Sequence, residues 1–151
     1  VTAETAEWVA GWADGLLTVT RSREELRKVV DAFRRGGGED KPMYLQAHVS
    51  YAPDDRAVME KAYDQWRSNV FKSRLLENLR MPDDFEAAAE FVRPEDLHGP
   101  VRISSDPQRF VDWFREDLEM GFDHIYIHNV NRRQMQFIDV FGSQVLPALL
   151  A

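Results

Sequence analysis

The sequence has 151 residues, enough for one domain with a real core and too few for two to be expected. Hydrophobic residues make up 44% and charged residues 30%, the balance of a soluble globular chain and not of a disordered one. Nineteen basic against 26 acidic residues leave a net charge of −7, which argues against general nucleic-acid binding. With no cysteine, disulfides, thiolate zinc sites and cysteine nucleophiles are excluded, and a reducing cytoplasm is the expected setting. No apolar run approaches the ~20 residues that span a bilayer, and the start Val1-Thr2-Ala3-Glu4 has no signal-peptide pattern.

In chain order, residues 3 to 12 read as a helix with Ala6, Trp8, Val9 and Trp12 apolar, broken by Asp14-Gly15. Leu16 to Thr20 is a short β-branched run, predicted as a strand. Ser22 and Glu25 form a capping-box pattern ahead of Leu26, Val29, Val30 and Phe33, spaced i, i+3, i+4, i+7 as one helical stripe. Gly36-Gly37-Gly38 ends that helix. A second strand is predicted from Met43 to Tyr51, and a helix from Pro53-Asp54-Asp55 carrying Val58, Met59, Ala62 and Trp66. Residues 69 to 100 are less regular and read as a helical insertion within the single domain, with one short helix from Pro82 to about Val92. A short extended piece, 101 to 103, precedes Ser105-Asp106-Pro107, a helix start, with Phe110, Trp113, Phe114 and Leu118 assigned to one face. Phe122 to Val130 is predicted as the third main strand. Asn131 with Gln134 then opens a helix to about Leu149, with Pro147 in its last turn. Strands alternating with helices predict a parallel α/β sheet.

Side chains alternate across a strand. In the second strand Met43, Leu45, Ala47, Val49 and Tyr51 share one face, and Tyr44, Gln46, His48 and Ser50 the other. In the third, Ile125 and Ile127 oppose Phe122, His124, Tyr126 and His128; in the first, Leu17 and Val19 oppose Leu16, Thr18 and Thr20. Helices are expected on the aliphatic faces, leaving the polar faces to line one mouth at the strands' C-terminal ends, where parallel sheets place ligands. The residues assigned to it are Thr18, Thr20, His48, Ser50, His128 and Asn129.

For His48, His124 and His128 two readings stand: interior hydrogen-bonded residues without chemistry, or polar contacts to a ligand. His98, beside Gly99-Pro100, reads as a loop residue. On one strand His124 and His128 lie roughly 13 Å apart, which argues against a shared metal. No serine elbow, P-loop or dinucleotide fingerprint is present, and the triple glycine follows a helix, so it is not a phosphate cradle. Arg34-Arg35 and Arg132-Arg133 read as solvated helix-end charges, and Asp54-Asp55 and Asp83-Asp84 as first-turn charges favourable to a helix dipole.

Residues 7 to 19, from Glu7-Trp8 through Leu16-Leu17-Thr18-Val19, resemble the helix-to-strand step late in luciferase-like flavin and deazaflavin oxidoreductases. Ser104-Ser105-Asp106-Pro107 resembles the segment before their penultimate long helix. Gly121 to His128 and Phe141 to Leu149 resemble their last strand and last helix. The resemblance spans essentially the whole chain, and its nearest branch includes deazaflavin-using glucose-6-phosphate dehydrogenases.

That resemblance implies a (β/α)8 barrel, which needs roughly 250 residues. This sequence supplies three clear strands, matching the sixth to eighth, and so corresponds to the C-terminal half. The implied cofactor is FMN or coenzyme F420, with hydride transfer as its chemistry and oxygen activation if FMN serves a monooxygenase. The position holding the cofactor phosphate falls on Thr2, Ala3, Glu4 and Thr5, where helix-start amides and hydroxyls favour an anion and Glu4 adds a negative charge. The stretch that helps bind sugar phosphate in the dehydrogenases falls on Val19 to Arg23, which lacks their lysine but offers Arg21 and Arg23. The principal catalytic residues would lie in the early strands, so none is assigned here. The expected partners are the N-terminal half of the barrel or a second copy of the chain, together with a small-molecule substrate. A non-catalytic, self-associating or partner-binding half-barrel is the alternative.

Overall fold

The computed structural model describes residues 1–71 and 73–151, with backbone alone at 73 and 74. Four strands form one parallel sheet: β1 (Leu16–Val19), β2 (Met43–Tyr51), β3 (Arg102–Ser104) and β4 (His124–Asn129). Tyr44 pairs with both Leu17 and His124, and Val49 with both Arg102 and Asn129. β2 is therefore central, with β4 on one flank and β1 followed by β3 along the other.

The helix α1 (Ala3–Ala10) precedes β1 and is capped by the Thr2 hydroxyl, which accepts from the Thr5 amide. It is two residues shorter than its apolar pattern suggests, and Trp8 and Trp12 lie on its exposed side. The helix α2 (Arg23–Phe33) opens with the capping box: the Glu25 amide donates to Ser22 Oγ, and Ser22 N–H donates to the Glu25 carboxylate. Its stripe Leu26, Val29, Val30 and Phe33 is buried. Each such side chain contributes roughly 1.5–3 kcal/mol of transfer free energy, which drives α2 onto the sheet.

The helix does not stop at the glycines. It widens into a π-turn over Arg34–Gly38, and Gly37 has φ 102°, a left-handed conformation that glycine adopts without strain. A Cβ at Gly36 would stand 2.3 Å from the Glu7 carbonyl oxygen, so this glycine lets α1 and α2 touch backbone to backbone. Arg34 is not a solvated charge. Its Nη1 donates to the carbonyls of Gly38, Glu39 and Lys41, and its Nη2 to that of Gly121, which ties the entry of β2 to the end of the helix α6 (Pro107–Met120). Arg35 pairs with Glu7.

The helix α3 (Asp55–Trp66), capped by Asp54, follows β2. The stretch from 69 to 100 holds α4 (Ser73–Leu76), α5 (Pro82–Ala89) and a 3-10 turn, Pro94–Leu97. A cluster of Ala62, Val92, Leu97, Val101 and Val130 fastens it to α3 and the sheet. In α6, Phe110, Val111, Phe114 and Met120 are buried, whereas Leu118 is exposed, so the inward face lies one position off the face assigned to Leu118. Arg102 reaches from β3 to make a two-pronged ion pair with Asp117, at 2.5 and 2.8 Å. Burial holds the Asp117 carboxyl above its ordinary range, against the pull of Arg102.

After β4 the chain forms α7 (Gln134–Val140), a π-turn (Phe141–Val145) and α8 (Leu146–Leu150). Pro147 sits in the first turn of the short α8, which is also the last turn of the continuous helical run from Gln134 to Leu150. Lacking an N–H, it cannot donate to the carbonyl four residues back, and the turn before it widens. No helix among the described residues is long and apolar enough to cross a membrane.

Candidate functional site

The helices α1, α2 and α6 cover one face of the sheet, and Met43, Leu45, Ala47, Val49 and Tyr51 are buried beneath them. The other face is open. Parallel register places Leu17, Tyr44 and His124 in one row across it, Val19, Gln46 and Tyr126 in the next, and His48 beside His128 in the row nearest the strands' C-terminal ends. The face is ring-rich: Tyr44 stacks on His124 and Tyr126 at centroid distances of 5.3 and 6.2 Å. Leu17 and Tyr126 remain 52% and 56% exposed, so this face lacks the cover the other face has.

His48 and His128 meet at a ring-centroid distance of 5.5 Å. Trp66, from the last position of α3, packs on both, 4.9 Å from His48 and 5.2 Å from His128. Burial lowers the pKa of His48, the neighbouring His128 lowers it further, and the Pro100 carbonyl opposes them. A neutral imidazole at His48 is therefore favoured. Nδ1 of His128 is buried without a hydrogen-bond partner, a state that costs roughly 1–3 kcal/mol unless a ligand or water satisfies it. Two imidazoles and an indole thus form a pocket wall that can hold an oxygen-bearing ring or chain and hydrogen-bond its oxygen.

Ser50 and Asn129 also come together, in a different role. Asn131, 1% exposed, donates to Ser50 Oγ and the Tyr51 carbonyl, and its own carbonyl oxygen accepts from the Asn129 side chain and the Arg133 amide. Ser50 in turn donates to the Val58 carbonyl. This network lies under α3 and fixes the β4–α7 loop against the end of β2, so Ser50 and Asn129 position the mouth from behind its surface.

The remaining assigned residues lie elsewhere. Thr18 and Thr20, expected in the mouth, stand on the helix-covered face and are 2% and 4% exposed. Their strand faces the other way from the sequence reading: Leu16 goes to the core, and Leu17 and Val19 to the open face, because register with Met43 and Leu45 decides it. The Thr20 hydroxyl accepts from the His48 amide and donates to the Gln46 carbonyl, continuing the ladder past the end of β1. Phe122 breaks the alternation assigned to its strand. It precedes β4 and is 2% exposed in the main core, while His124 is exposed at the far end from the mouth.

Arg21 lines a cavity of about 210 Å³ between the starts of α2 and β3 and the side of α6, with Arg23, His98, Arg102, Trp113 and Asp117 among its neighbours. Its Nε is buried without a partner. At the start of α1, apart from this cavity, the Thr2 hydroxyl accepts from the Thr5 amide. There Thr2 and Thr5 hydroxyls lie 3.0 Å apart, exposed, beside the Glu4 carboxylate. First-turn amides and two hydroxyls are a donor set that fits a phosphate, with Glu4 opposing it.

The sequence pattern does not single out Trp66, Tyr44, Tyr126 and Asn131 as site residues. Tyr44 and Tyr126 share the periodicity of His48 and His128, and that alternation was the signal that could have found them. Trp66 and Asn131 give no such signal, because one reads as a helix-face apolar residue and the other as a cap.

No family model matches the sequence. Among curated proteins, the chain is 26% identical over 152 residues to an F420-dependent glucose-6-phosphate dehydrogenase of Kribbella flavida, covering 95% of this chain and 45% of that protein. It is 24% identical over 145 residues to an F420-dependent glucose-6-phosphate dehydrogenase of Microbacterium testaceum, covering 91% and 43%. The chain thus spans less than half the length of these relatives. Among solved structures, an F420-dependent secondary alcohol dehydrogenase, in complex with an F420–acetone adduct, superposes with a TM-score of 0.76 at 18% identity, over 98% of this chain and 46% of that one. The coenzyme F420-dependent tetrahydromethanopterin reductase of Methanopyrus kandleri gives 0.71 at 16%, over 97% and 48%. The curated relatives are thus named as F420-dependent dehydrogenases, and the fold of this chain is that of part of these F420-dependent enzyme structures.

Proposed function

We propose that this chain is the C-terminal part of an F420-dependent oxidoreductase and forms one wall of its substrate pocket. The observation that carries the reading is the His48–His128–Trp66 cluster at the C-terminal strand ends of the open face. That is where a parallel barrel holds its ligand. Kinship to F420-dependent dehydrogenases supports F420 over FMN as the cofactor.

Thr2, Ala3 and Thr5 would hold the cofactor's phosphate on their amides and hydroxyls, against the Glu4 charge. Bound F420 would supply a two-electron hydride acceptor. The chain's own residues do the rest. Trp66 excludes water from the imidazole pair, and the pair hydrogen-bonds a substrate oxygen. The Asn131 network keeps the β4–α7 loop from shifting the pocket.

Fluorescence anisotropy of F420 titrated with the protein tests the assignment, with FMN fluorescence as the comparison. F420 should bind at least tenfold more tightly than FMN, and Thr5→Asp should weaken it. Equal or reversed affinities would rule the cofactor out.

A further inference from the structure

We infer that the cavity between α2, β3 and α6 is a second binding site, which takes a small monocarboxylate on the Arg21 guanidinium. The site is independent of the cofactor reading, because it lies behind the sheet and not in the mouth. Arg102, part of its lining, pairs in register with Val49 and so stands on the helix-covered side. His48 and His128 stand on the open side.

Three guanidinium groups and two carboxylates line the cavity. Arg23 pairs with Glu116, and Arg102 with Asp117 through two hydrogen bonds. Arg21 is the guanidinium left over. Among the described residues no carboxylate lies within ion-pair distance of it, and its buried Nε has no hydrogen-bond partner. A buried N–H without an acceptor is destabilising until an occupant supplies one. A carboxylate does so with matched geometry, since its two oxygens fit the Nε–H and the neighbouring Nη–H of one guanidinium side by side.

The charge count sets the class of anion. With His98 counted neutral, three positive charges against two negative leave one, which a monoanion neutralises and a phosphate dianion exceeds. Glu116 and Asp117 would repel the additional charge at close range. The rest of the wall is apolar: Leu26 and Met120 belong to the main core, and Val101, Ile103 and Trp113 complete it. A volume of about 210 Å³ is smaller than the roughly 300–1,000 Å³ of drug-sized sites, so the occupant is a carboxylate on a short apolar chain. The Arg23 and Glu116 side chains are 55% and 42% exposed, which leaves that side of the cavity open for entry.

Sodium butyrate is the probe, with butyramide as its uncharged counterpart and inorganic phosphate as the multiply charged anion, all at constant ionic strength. Proton–nitrogen correlation spectra of the arginine side chains read the site directly. The expected result is a saturable shift of the Arg21 Nε–H with butyrate, at an affinity at least tenfold above those of butyramide and phosphate. Arg21→Gln should lower the butyrate affinity at least tenfold while keeping the far-UV circular dichroism of the wild type. Glu116→Gln, at an exposed position, frees the Arg23 charge and should raise the phosphate affinity at least tenfold, a readout that stands even if Arg21→Gln fails to fold. The absence of a saturable shift at Arg21 would overturn the inference, as a cavity that holds only water predicts. Phosphate binding the wild type as tightly as butyrate would overturn the monocarboxylate class. Butyrate binding that survives Arg21→Gln unchanged would put the site elsewhere and overturn the inference too. No readout involves F420, so failure here is distinct from failure of the cofactor assignment.

Discussion

Replacing Arg34 by alanine removes one guanidinium that serves four carbonyls. Three carbonyls, those of Gly38, Glu39 and Lys41, share the two hydrogens on Nη1, and Gly121 takes one from Nη2. Three hydrogens are therefore lost, and the Gly38, Lys41 and Gly121 bonds are partly shielded from water. At roughly 1–1.3 kcal/mol for each bond in that partly solvated setting, the loss is about 3–4 kcal/mol. For a chain of this size that lowers Tm by roughly 6–16 °C. Urea unfolding followed by circular dichroism is the assay, with the midpoint shifting at constant slope. Arg34→Lys keeps the charge but cannot reach both groups of carbonyls from a single nitrogen, so it should recover about half the loss. If Arg34→Ala unfolds within 1 kcal/mol of wild type, or Arg34→Lys matches wild type, the four-carbonyl clamp is not the source of stability.

Three further outcomes are expected. The folded pKa of His48 is lowered, so its contribution is fully present above the unfolded value of about 6.5 and is lost as pH falls through the folded value. Melting temperature should therefore drop as pH falls below about 6.5, and His48→Gln should flatten that step; an unchanged step would refute the assignment. Asn131→Ala strands partners on β2 and in the β4–α7 loop, at a cost of about 2–4 kcal/mol by urea melts, with faster amide exchange at residues 129 to 134. For the Arg102–Asp117 pair, Arg102→Met or Asp117→Leu alone should cost about 3–5 kcal/mol, while the double variant should lie within about 1 kcal/mol of wild type. A double variant as unstable as the sum of the two singles would show that the ion pair itself is not coupled.

How far the sequence reached depended on the length of each signal. Alternation in β2 gives its two faces from Met43 to Val49, while Ser50, placed by phase on the open face, is buried under α3, and the serine–glutamate box locates α2. In β1 only four residues pair, and both parities offered apolar side chains, so the face was settled by partners 27 residues away. That is why Thr18 and Thr20 were expected in the mouth and lie in the core. Arg34 read as solvated because its acceptors are main-chain oxygens, one of them 87 residues distant, and main-chain oxygens leave no trace in composition. The His48–His128 meeting was legible as shared strand phase, but the Trp66 cover over it came from a helix end whose reach periodicity cannot convey.

Because, among the described residues, β2 is bonded to three strands and β1, β3 and β4 each to β2 alone, the sheet has a single structural keystone. Thermal loosening should travel from the rim inward: β1 and β4 can fray independently, whereas nothing disconnects β2 short of global melting. Since His48 stands on that keystone and His128 on a rim strand, the gap between the two imidazoles is set by the mobility of one strand alone.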